Sequence, residues 1–178
     1  AEDEGFRVCY YQISAGSIPH YVDMGMRLFK LGEEARVPLV DFDLEGSDAR
    51  KLRKARSRAE REGLGFEIWT ADQVRAGMPV LRELSDQWLA KHAAREKSFS
   101  LGRFDEAYLE RGSMAVVTRN GVPCAFANLW CGGNHEELSV DLMRHGSDVP
   151  SCVMDFLFTE LFLWGKAQGY RWFGLGMA

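Results

Sequence analysis

The chain has 178 residues, of which 46% are hydrophobic and 27% are charged, and its formal net charge is −4. This length and apolar content suffice for one ordinary folded domain and exclude an intrinsically disordered chain. The small negative charge also excludes a uniformly basic nucleic-acid-binding protein.

The first half of the chain alternates between predicted strands and helices. Residues 8–13 and 35–44 have the β-branched and apolar content of strands. Between them, residues 18–31 favour a helix with a proline in its first turn. A second helix and a further strand follow.

The second predicted helix is strongly basic. It extends from a cap at Ser47 to Arg61, and Gly63 ends it. Its basic residues are Arg50, Lys51, Arg53, Lys54, Arg56, Arg58 and Arg61. Clustered Lys and Arg suit the phosphates of a tRNA, and they suit anionic lipid headgroups equally. A merely solvated helix face is a third interpretation, and the sequence does not choose among the three.

The second half predicts a helix followed by an antiparallel meander and a crossover. Residues 71–92 have the apolar stripe of a core-facing helix. Strands are predicted at residues 114–118, 122–130, 137–143 and 171–175. Because a helix over residues 150–168 separates the last two strands, we expect them to be parallel.

This order of elements is the central unit of the GCN5-related acetyltransferase fold, an α/β (α+β) architecture with a mixed sheet. In that fold the acyl donor lies where the third strand splays and the crossover helix begins, which here is residues 144–148. The glycine-rich pyrophosphate loop of acetyl-CoA enzymes is absent, since this segment contains one glycine. We therefore expect a different donor and no acetyl-CoA.

Cysteine usage and hydropathy indicate a cytosolic chain. Cys9, Cys124, Cys131 and Cys152 show neither a CxxC pair nor metal-ligand spacing, so we interpret them as reduced structural thiols. The longest apolar stretch, residues 153–164, is too short to cross a bilayer, which needs about 20 residues. No signal peptide is visible. We expect the chain to be a piece of a longer protein.

A polar cluster accompanies the third meander strand. Asp141, Arg144 and His145 lie near its end, where a rigid strand presents side chains well for catalysis or binding. A plain salt bridge between Asp141 and Arg144 is the alternative interpretation of that pair. His145 has a suitable pKa range for a base, but a lone loop histidine is more often a bystander.

Four ordered motifs carry a family resemblance. They are KLGEEARV at 30–37, FSLGRFD at 99–105, VDLMR at 140–144 and GLGMA at 174–178. Together they resemble the cytosolic C-terminal domain of the phosphatidylglycerol lysyltransferases and alanyltransferases, the multiple peptide resistance factors. The resemblance implies a tandem duplicated fold. Residues 1–70 would be the later part of the first copy, with the basic helix, and residues 71–178 the catalytic second copy, truncated at its end.

The resemblance also implies an activity. The family transfers a lysyl or alanyl group from aminoacyl-tRNA to the glycerol hydroxyl of phosphatidylglycerol, which lowers membrane negative charge and gives resistance to cationic antimicrobial peptides. The implied partners are aminoacyl-tRNA, phosphatidylglycerol and a membrane-spanning flippase region of the same protein. The implied location is the cytoplasmic face of the bacterial inner membrane. Moving an acyl group between esters is nearly isoenergetic, so we expect no ATP and no metal.

Within that chemistry the candidate residues have defined roles. Asp141 would orient or deprotonate the acceptor hydroxyl, or hold the ammonium group of the amino acid. Arg144 would grip a phosphate and share developing charge. The residues predicted to line a donor pocket are Glu96, Lys97, Arg103 and His145.

Two other functions remain open at this point. One is a Fem-type aminoacyl-tRNA-dependent transferase with an amine acceptor, and the other is a non-catalytic module that binds tRNA or anionic membranes.

Overall fold

The computed structural model describes residues 5, 7–92, 96 and 102–177. The chain divides into two units, Ala1–Glu33 and Glu34–Ala178.

The first unit contains little regular structure in its described part. It has one 3₁₀ turn at Ala15–Ser17 and one helix, α1 (Ile18–Asp23). The predicted helix over residues 18–31 is therefore too long, because Gly25 adopts the left-handed conformation (φ 75°) just beyond the C-cap. The predicted strand at residues 8–13 is wrong, since these residues have no neighbouring strand to pair with among those the structure describes.

The second unit is built on a six-stranded mixed sheet. Its strands are β1 (Glu34–Pro38), β2 (Leu64–Trp69), β3 (Met114–Arg119), β4 (Val122–Cys131), β5 (Glu137–His145) and β6 (Trp172–Met177). Their order across the sheet is β1-β6-β5-β4-β3-β2. The helices are α2 (Arg50–Arg61), α3 (Ala71–Lys91), α4 (Glu106–Leu109) and α5 (Val153–Ala167).

Each face of the sheet has its own apolar core. Helices α2 and α5 cover one face, where the buried residues include Ala55, Ala59, Phe156, Leu157 and Leu161. Helices α3 and α4 cover the other face, where Val74, Leu81, Leu109, Phe126 and Leu142 are buried. The candidate site lies on the α3–α4 face.

The predicted meander and crossover are confirmed. Strands β3, β4 and β5 pair antiparallel, and β6 pairs parallel to β5 after the α5 crossover. Asn120 and Gly121 both have positive φ (51° and 81°), which is the backbone that a tight hairpin turn requires. Gly169 (φ 82°) follows the end of α5 in the same left-handed conformation.

Several predicted boundaries are wrong. β1 ends at Pro38 instead of residue 44, because the chain then turns, with the Phe42 N–H bonded to the Leu39 carbonyl. Ser47 does not cap α2; the N-cap is Ala49, and the Ser47 hydroxyl bonds the Asp48 side chain. Helix α5 begins at Val153 instead of residue 150, with Cys152 as its N-cap and no side-chain capping bond.

The predicted boundary between residues 70 and 71 falls inside the second unit. It lies between β2 and α3, and strands on both sides of it belong to one sheet. The tandem duplication itself stays a prediction.

Candidate functional site

The site is organised around a β-bulge in β5. The register between β4 and β5 shifts by one residue, so that Asp141 and Leu142 both lie opposite Asn128. The side-chain oxygen of Asn128 accepts hydrogen bonds from both backbone N–H groups, at 3.2 Å and 2.7 Å. The bulge interrupts the usual alternation of a strand, so both side chains face the α3–α4 side. Leu142 enters the core there, and Asp141 bonds Tyr108.

The Tyr108 hydroxyl makes three hydrogen bonds. It accepts from Asn128 Nδ2 at 2.9 Å and from Trp130 Nε1 at 2.5 Å, and it donates to Asp141 Oδ2 at 2.9 Å. A phenol has one proton and two lone pairs, so these bonds use its full capacity. Burial raises the pKa of Tyr108, and the bond to Asp141 and its charge raise it further. The hydroxyl is therefore neutral, and its proton points at Asp141.

Gly102 lies directly against the carboxylate of Asp141. A Cβ at this position would overlap the carboxyl oxygens, so only glycine fits here without movement. The other carboxyl oxygen, Oδ1, has no hydrogen-bond donor among the residues that the structure describes. Within the described residues, Asp141 thus combines one hydrogen-bonded oxygen with one that has no donor.

Arg144 occupies a separate pocket on the same face. Its guanidinium lies 4.2 Å from the ring centroid of Trp88, and it forms an ion pair with Glu96 at 3.3 Å. The side chain is only 11% exposed, and its Nε is buried without a hydrogen-bond partner in the part of the chain described. Burial lowers the pKa of Arg144, while the charge of Glu96 acts in the opposite direction. A guanidinium that is held in place in this way can bind an oxyanion.

Two expectations about this pair need correction. Arg144 pairs with Glu96 and Asp141 with Tyr108, so the alternative Asp141–Arg144 salt bridge is not formed. Both residues also lie within β5, which continues to His145. Asp141 is thus held inside the paired strand, whereas Arg144 is its penultimate residue, close to the predicted strand end.

His145 lies beside the Arg144 pocket. Its Nδ1 is 2.8 Å from the Gly146 carbonyl oxygen, which can only accept, so Nδ1 carries a proton. Its ring is 6.1 Å from that of His92, which in turn stacks on Trp88 at 4.2 Å.

The other predicted donor-pocket residues have different positions. Glu96 contacts Arg144, as described. Arg103 bonds the Asp105 carboxylate at 3.2 Å, and Asp105 caps α4, the helix that carries Tyr108. Lys97 lies outside the described residues. The contacts of Glu96 and Arg103 in the described structure are with other residues of the chain, and their role at a donor pocket stays a prediction.

The segment after β5, where the donor is predicted to lie, borders a cavity. β5 and β6 pair only from Glu137–Trp172 to Ser139–Gly174, so the later part of β5 leaves its parallel neighbour. On the β4 side of this segment is a cavity of about 330 Å³, lined by residues 146–149, by residues 122–124 of β4 and by α3, including Glu83 and Gln87.

Some of the basic residues of α2 form ion pairs or hydrogen bonds with neighbouring parts of the chain. Lys51 and Arg56 pair with Asp155 and Glu160 of α5, at 3.5 Å and 2.7 Å. Arg58 bonds the Ser151 hydroxyl at 3.0 Å, and Arg53 donates to the carbonyls of residues 44 and 46. These four residues attach α2 to its neighbours.

The remaining basic residues of α2 point outward. Arg50, Lys54 and Arg61 have no acidic partner within the described ranges. Together with Arg53, Ser57 and Arg58 they line a shallow depression of about 540 Å³. A basic concave surface of this kind can take a phosphate group.

Sequence reasoning missed Tyr108, Asn128 and Trp130. The available signal was Asn128, a polar residue in the middle of the otherwise apolar β4, where it is only 6% exposed. A buried amide needs partners, and so it indicates a hydrogen-bond network.

Two absences hold for the described part of the chain. No helix there is long and apolar enough to span a membrane. No group of three or more His, Cys, Asp or Glu side chains is arranged there to hold a metal ion.

Comparison with known proteins gives relatives over the whole chain. The phosphatidylglycerol lysyltransferase of Bacillus subtilis (strain 168) is 41% identical over 179 residues, which cover 100% of this chain and 21% of that protein. The enzyme of the same name from Staphylococcus aureus (strain MRSA252) is 34% identical, again with 100% and 21% coverage. The chain thus spans about a fifth of the length of these relatives.

Solved structures agree with the sequence comparison. The C-terminal domain of a putative lysylphosphatidylglycerol synthetase from Agrobacterium fabrum is 43% identical with a TM-score of 0.93, covering 99% of this chain and 56% of that one. L-PGS from Bacillus licheniformis is 42% identical with a TM-score of 0.91 and the same coverage.

More distant structures establish the fold. A GCN5-related glucosamine N-acetyltransferase region of a fungal β-N-acetylglucosaminidase has a TM-score of 0.55 over 92% of this chain at 11% identity. The predicted acetyltransferase-like α/β fold is therefore confirmed. The family model described as "Phosphatidylglycerol lysyltransferase, C-terminal" matches residues 1–178, and the chain belongs to that family.

Proposed function

We propose that this chain is the C-terminal part of an aminoacyltransferase that moves a lysyl or alanyl group from aminoacyl-tRNA to phosphatidylglycerol. The observation that carries the proposal is the family match over residues 1–178, together with relatives named phosphatidylglycerol lysyltransferase. The added ammonium lowers the negative charge of the membrane, which would weaken the attraction of cationic antimicrobial peptides.

The proposed reaction exchanges one ester for another. The glycerol hydroxyl oxygen bonds to the carbonyl carbon of the aminoacyl group, the bond from that carbon to the tRNA ribose oxygen breaks, and the hydroxyl proton ends on the ribose oxygen. No net redox change or phosphorylation is involved, so the step needs no ATP, metal or acetyl-CoA. The work of the protein is to position two large substrates and to stabilise the oxyanion.

Asp141 and Arg144 support this chemistry by their placement. Both face the α3–α4 side of β5, and each is held by neighbouring residues, Asp141 by Tyr108 and Arg144 by Trp88 and Glu96. A preorganised cation costs little reorganisation when negative charge develops beside it. We assign Arg144 to a substrate phosphate or to the oxyanion.

The outward residues of α2 support a polyanion contact. Arg50, Lys54 and Arg61 have no internal ion pair in the described structure, so their charge is available to a tRNA or to anionic headgroups. In the full-length protein we propose that this surface works at the cytoplasmic face of the membrane, next to a membrane-spanning flippase region.

The test is lipid product formation by the full-length enzyme in vesicles of phosphatidylglycerol. We expect an aminoacylated phosphatidylglycerol, detected by mass spectrometry, with lysyl-tRNA or alanyl-tRNA and none with the free amino acid. A full-length enzyme that aminoacylates a peptide amine but no lipid, with either charged tRNA, would refute the proposal.

A further inference from the structure

We propose that Tyr108, locked by Asn128 and Trp130, is a positioning residue that presents Asp141 as a binding group for the α-ammonium of the donor's aminoacyl group. This inference rests on the proposed aminoacyl transfer and deepens it. It also chooses one of the three roles that the sequence leaves open for Asp141.

The Tyr108 hydroxyl uses its whole hydrogen-bonding capacity on three neighbouring residues. Asn128 Nδ2 and Trp130 Nε1 are obligate donors at this distance, and they occupy both lone pairs of the phenol. The single phenol proton is then committed to Asp141 Oδ2 at 2.9 Å. Tyr108 has no free lone pair with which to take up a proton. The contact therefore orients the carboxylate and does not relay protons away from it.

Asn128 fixes the site through both ends of its side-chain amide. Its amide nitrogen binds the Tyr108 hydroxyl, and its amide oxygen binds the backbone N–H groups at the bulge, including that of Asp141. One buried side chain thus sets both the backbone position of Asp141 and the donor to its carboxylate. Gly102 lies against the carboxyl group, and its lack of a Cβ leaves room for the carboxylate in this orientation.

The second carboxyl oxygen, Asp141 Oδ1, has no hydrogen-bond donor among the described residues. A carboxylate that is fixed at one oxygen and unpaired at the other is a directed acceptor for a cationic donor. Trp130 lies one hydrogen bond away, at Tyr108, and 56% of its surface is exposed. The exposed ring face of such an indole can attract a cation.

An α-ammonium is the ligand that fits this chemistry best. Lysyl and alanyl donors both carry it next to the reacting carbonyl, whereas the acceptor hydroxyl is neutral. A carboxylate in this place would recognise any aminoacyl ester and leave the choice of amino acid to other residues. If Asp141 acted instead as a base, disturbing it would slow transfer from α-amino and α-hydroxy donors alike. The two roles can therefore be separated by comparing these donors.

The experiment compares two donors in the full-length enzyme. One is the aminoacyl-tRNA that the enzyme uses, and the other is the same tRNA carrying the α-hydroxy analogue, such as lactyl-tRNA in place of alanyl-tRNA. We expect the wild type to prefer the α-amino donor in kcat/KM, and Tyr108→Phe to reduce that preference by about tenfold, mainly through the KM of the α-amino donor.

Two further variants make the result interpretable. Trp130→Phe removes one donor to Tyr108 without touching Asp141, and we expect a smaller loss of the same preference. Tyr170→Phe is the matched control, because it removes the hydroxyl of another buried tyrosine, located in the α5-side core; the preference should not change. If Tyr108→Phe does not fold, Trp130→Phe decides the question.

The outcomes separate this inference from the proposed function. Equal loss of activity with both donors in Tyr108→Phe, with the preference unchanged, would overturn the ammonium role and favour a base. An unchanged preference in Trp130→Phe, when Tyr108→Phe cannot be measured, would overturn it as well. Absence of lipid product from the wild type with any charged tRNA would instead contradict the proposed function.

Discussion

The Tyr108 hydroxyl donates a hydrogen bond to Asp141 Oδ2 at 2.9 Å, although the two residues are 33 positions apart in the chain. The bond joins the short helix α4 to the middle of β5 on one face of the sheet. It fixes the orientation of the carboxylate, on which the site depends. Substitutions at Asp141 and its neighbours, in the Arg144 pocket and in the basic helix α2 have distinct expected effects.

The first prediction concerns the charge of Asp141. Asp141→Asn retains the size of the side chain and can still accept from Tyr108, so we expect the free energy of unfolding to change by less than about 1 kcal/mol. Aminoacyl transfer to lipid by the full-length enzyme should fall more than about tenfold, because the negative charge is lost. Asp155→Asn is the control, since the Asp155 side chain pairs with the exposed Lys51, away from the site. Near-normal turnover of Asp141→Asn would remove Asp141 from the site.

The second prediction concerns the Arg144 pocket. Arg144→Ala should abolish most activity and also destabilise the protein by about 1–3 kcal/mol, because it leaves Glu96 without its partner and a void against Trp88. Thermal unfolding and lipid aminoacylation would be measured together.

Arg82 provides a control of the same type. Its guanidinium lies 5.0 Å from the Phe104 ring and pairs with Glu106, but half of its side chain is exposed. Arg82→Ala should therefore cost at most about 1 kcal/mol and leave activity intact. Equal effects of the two substitutions on activity would refute a special role for Arg144.

The third prediction concerns Gly102. Gly102→Ala places a methyl group where the Asp141 carboxylate now lies, so either the carboxylate or the backbone must move. We expect a loss of activity of about tenfold or more, because a displacement of 1 Å in a catalytic site has effects of this size or larger. Gly133→Ala, where a Cβ meets open space, should behave as wild type. Full activity of Gly102→Ala would show that the position of Asp141 is not critical.

The fourth prediction separates the outward residues of α2 from the inward ones. Replacing Arg50, Lys54 and Arg61 by Gln should weaken binding to tRNA, to anionic vesicles or to both. For tRNA, the slope of log affinity against log salt should fall by about one unit per lost phosphate contact. Stability should be unaffected.

Arg56→Gln is the contrasting variant of the same helix. Arg56 pairs with Glu160, whose side chain is only 16% exposed, so this substitution should lower stability more than it lowers affinity. Binding and thermal unfolding would be measured on both variants. If the triple variant keeps the affinity and salt dependence of wild type for both ligands, the outward face of α2 is only solvated.

The fifth prediction concerns the donor. The segment after β5 lacks the run of glycines whose backbone N–H groups would surround a pyrophosphate, so we expect no saturable binding of acetyl-CoA. Isothermal titration calorimetry would test this directly. A dissociation constant in the micromolar range would favour an ordinary acetyltransferase.

The local signals of the sequence determined most of the second unit. Asn120-Gly121 marked the hairpin, Gly63 and Gly169 marked helix ends, and apolar periodicity located the helices and strands. These signals work because backbone preferences and side-chain periodicity act over a few residues. The same local rules predicted too much regular structure in the first unit, where a strand-like segment has no neighbouring strand in the described structure. A strand forms only when a partner supplies the other half of its hydrogen bonds.

The geometry of the candidate site was decided only by the tertiary structure. The sequence identified Asp141 and Arg144, with a salt bridge between them as the alternative interpretation of the pair. In the fold, the bulge opposite Asn128 directs Asp141 toward Tyr108, and α3 brings Trp88 against Arg144. Hydrogen-bond partners and strand register depend on residues far apart in the chain, so spacing within a motif cannot specify them.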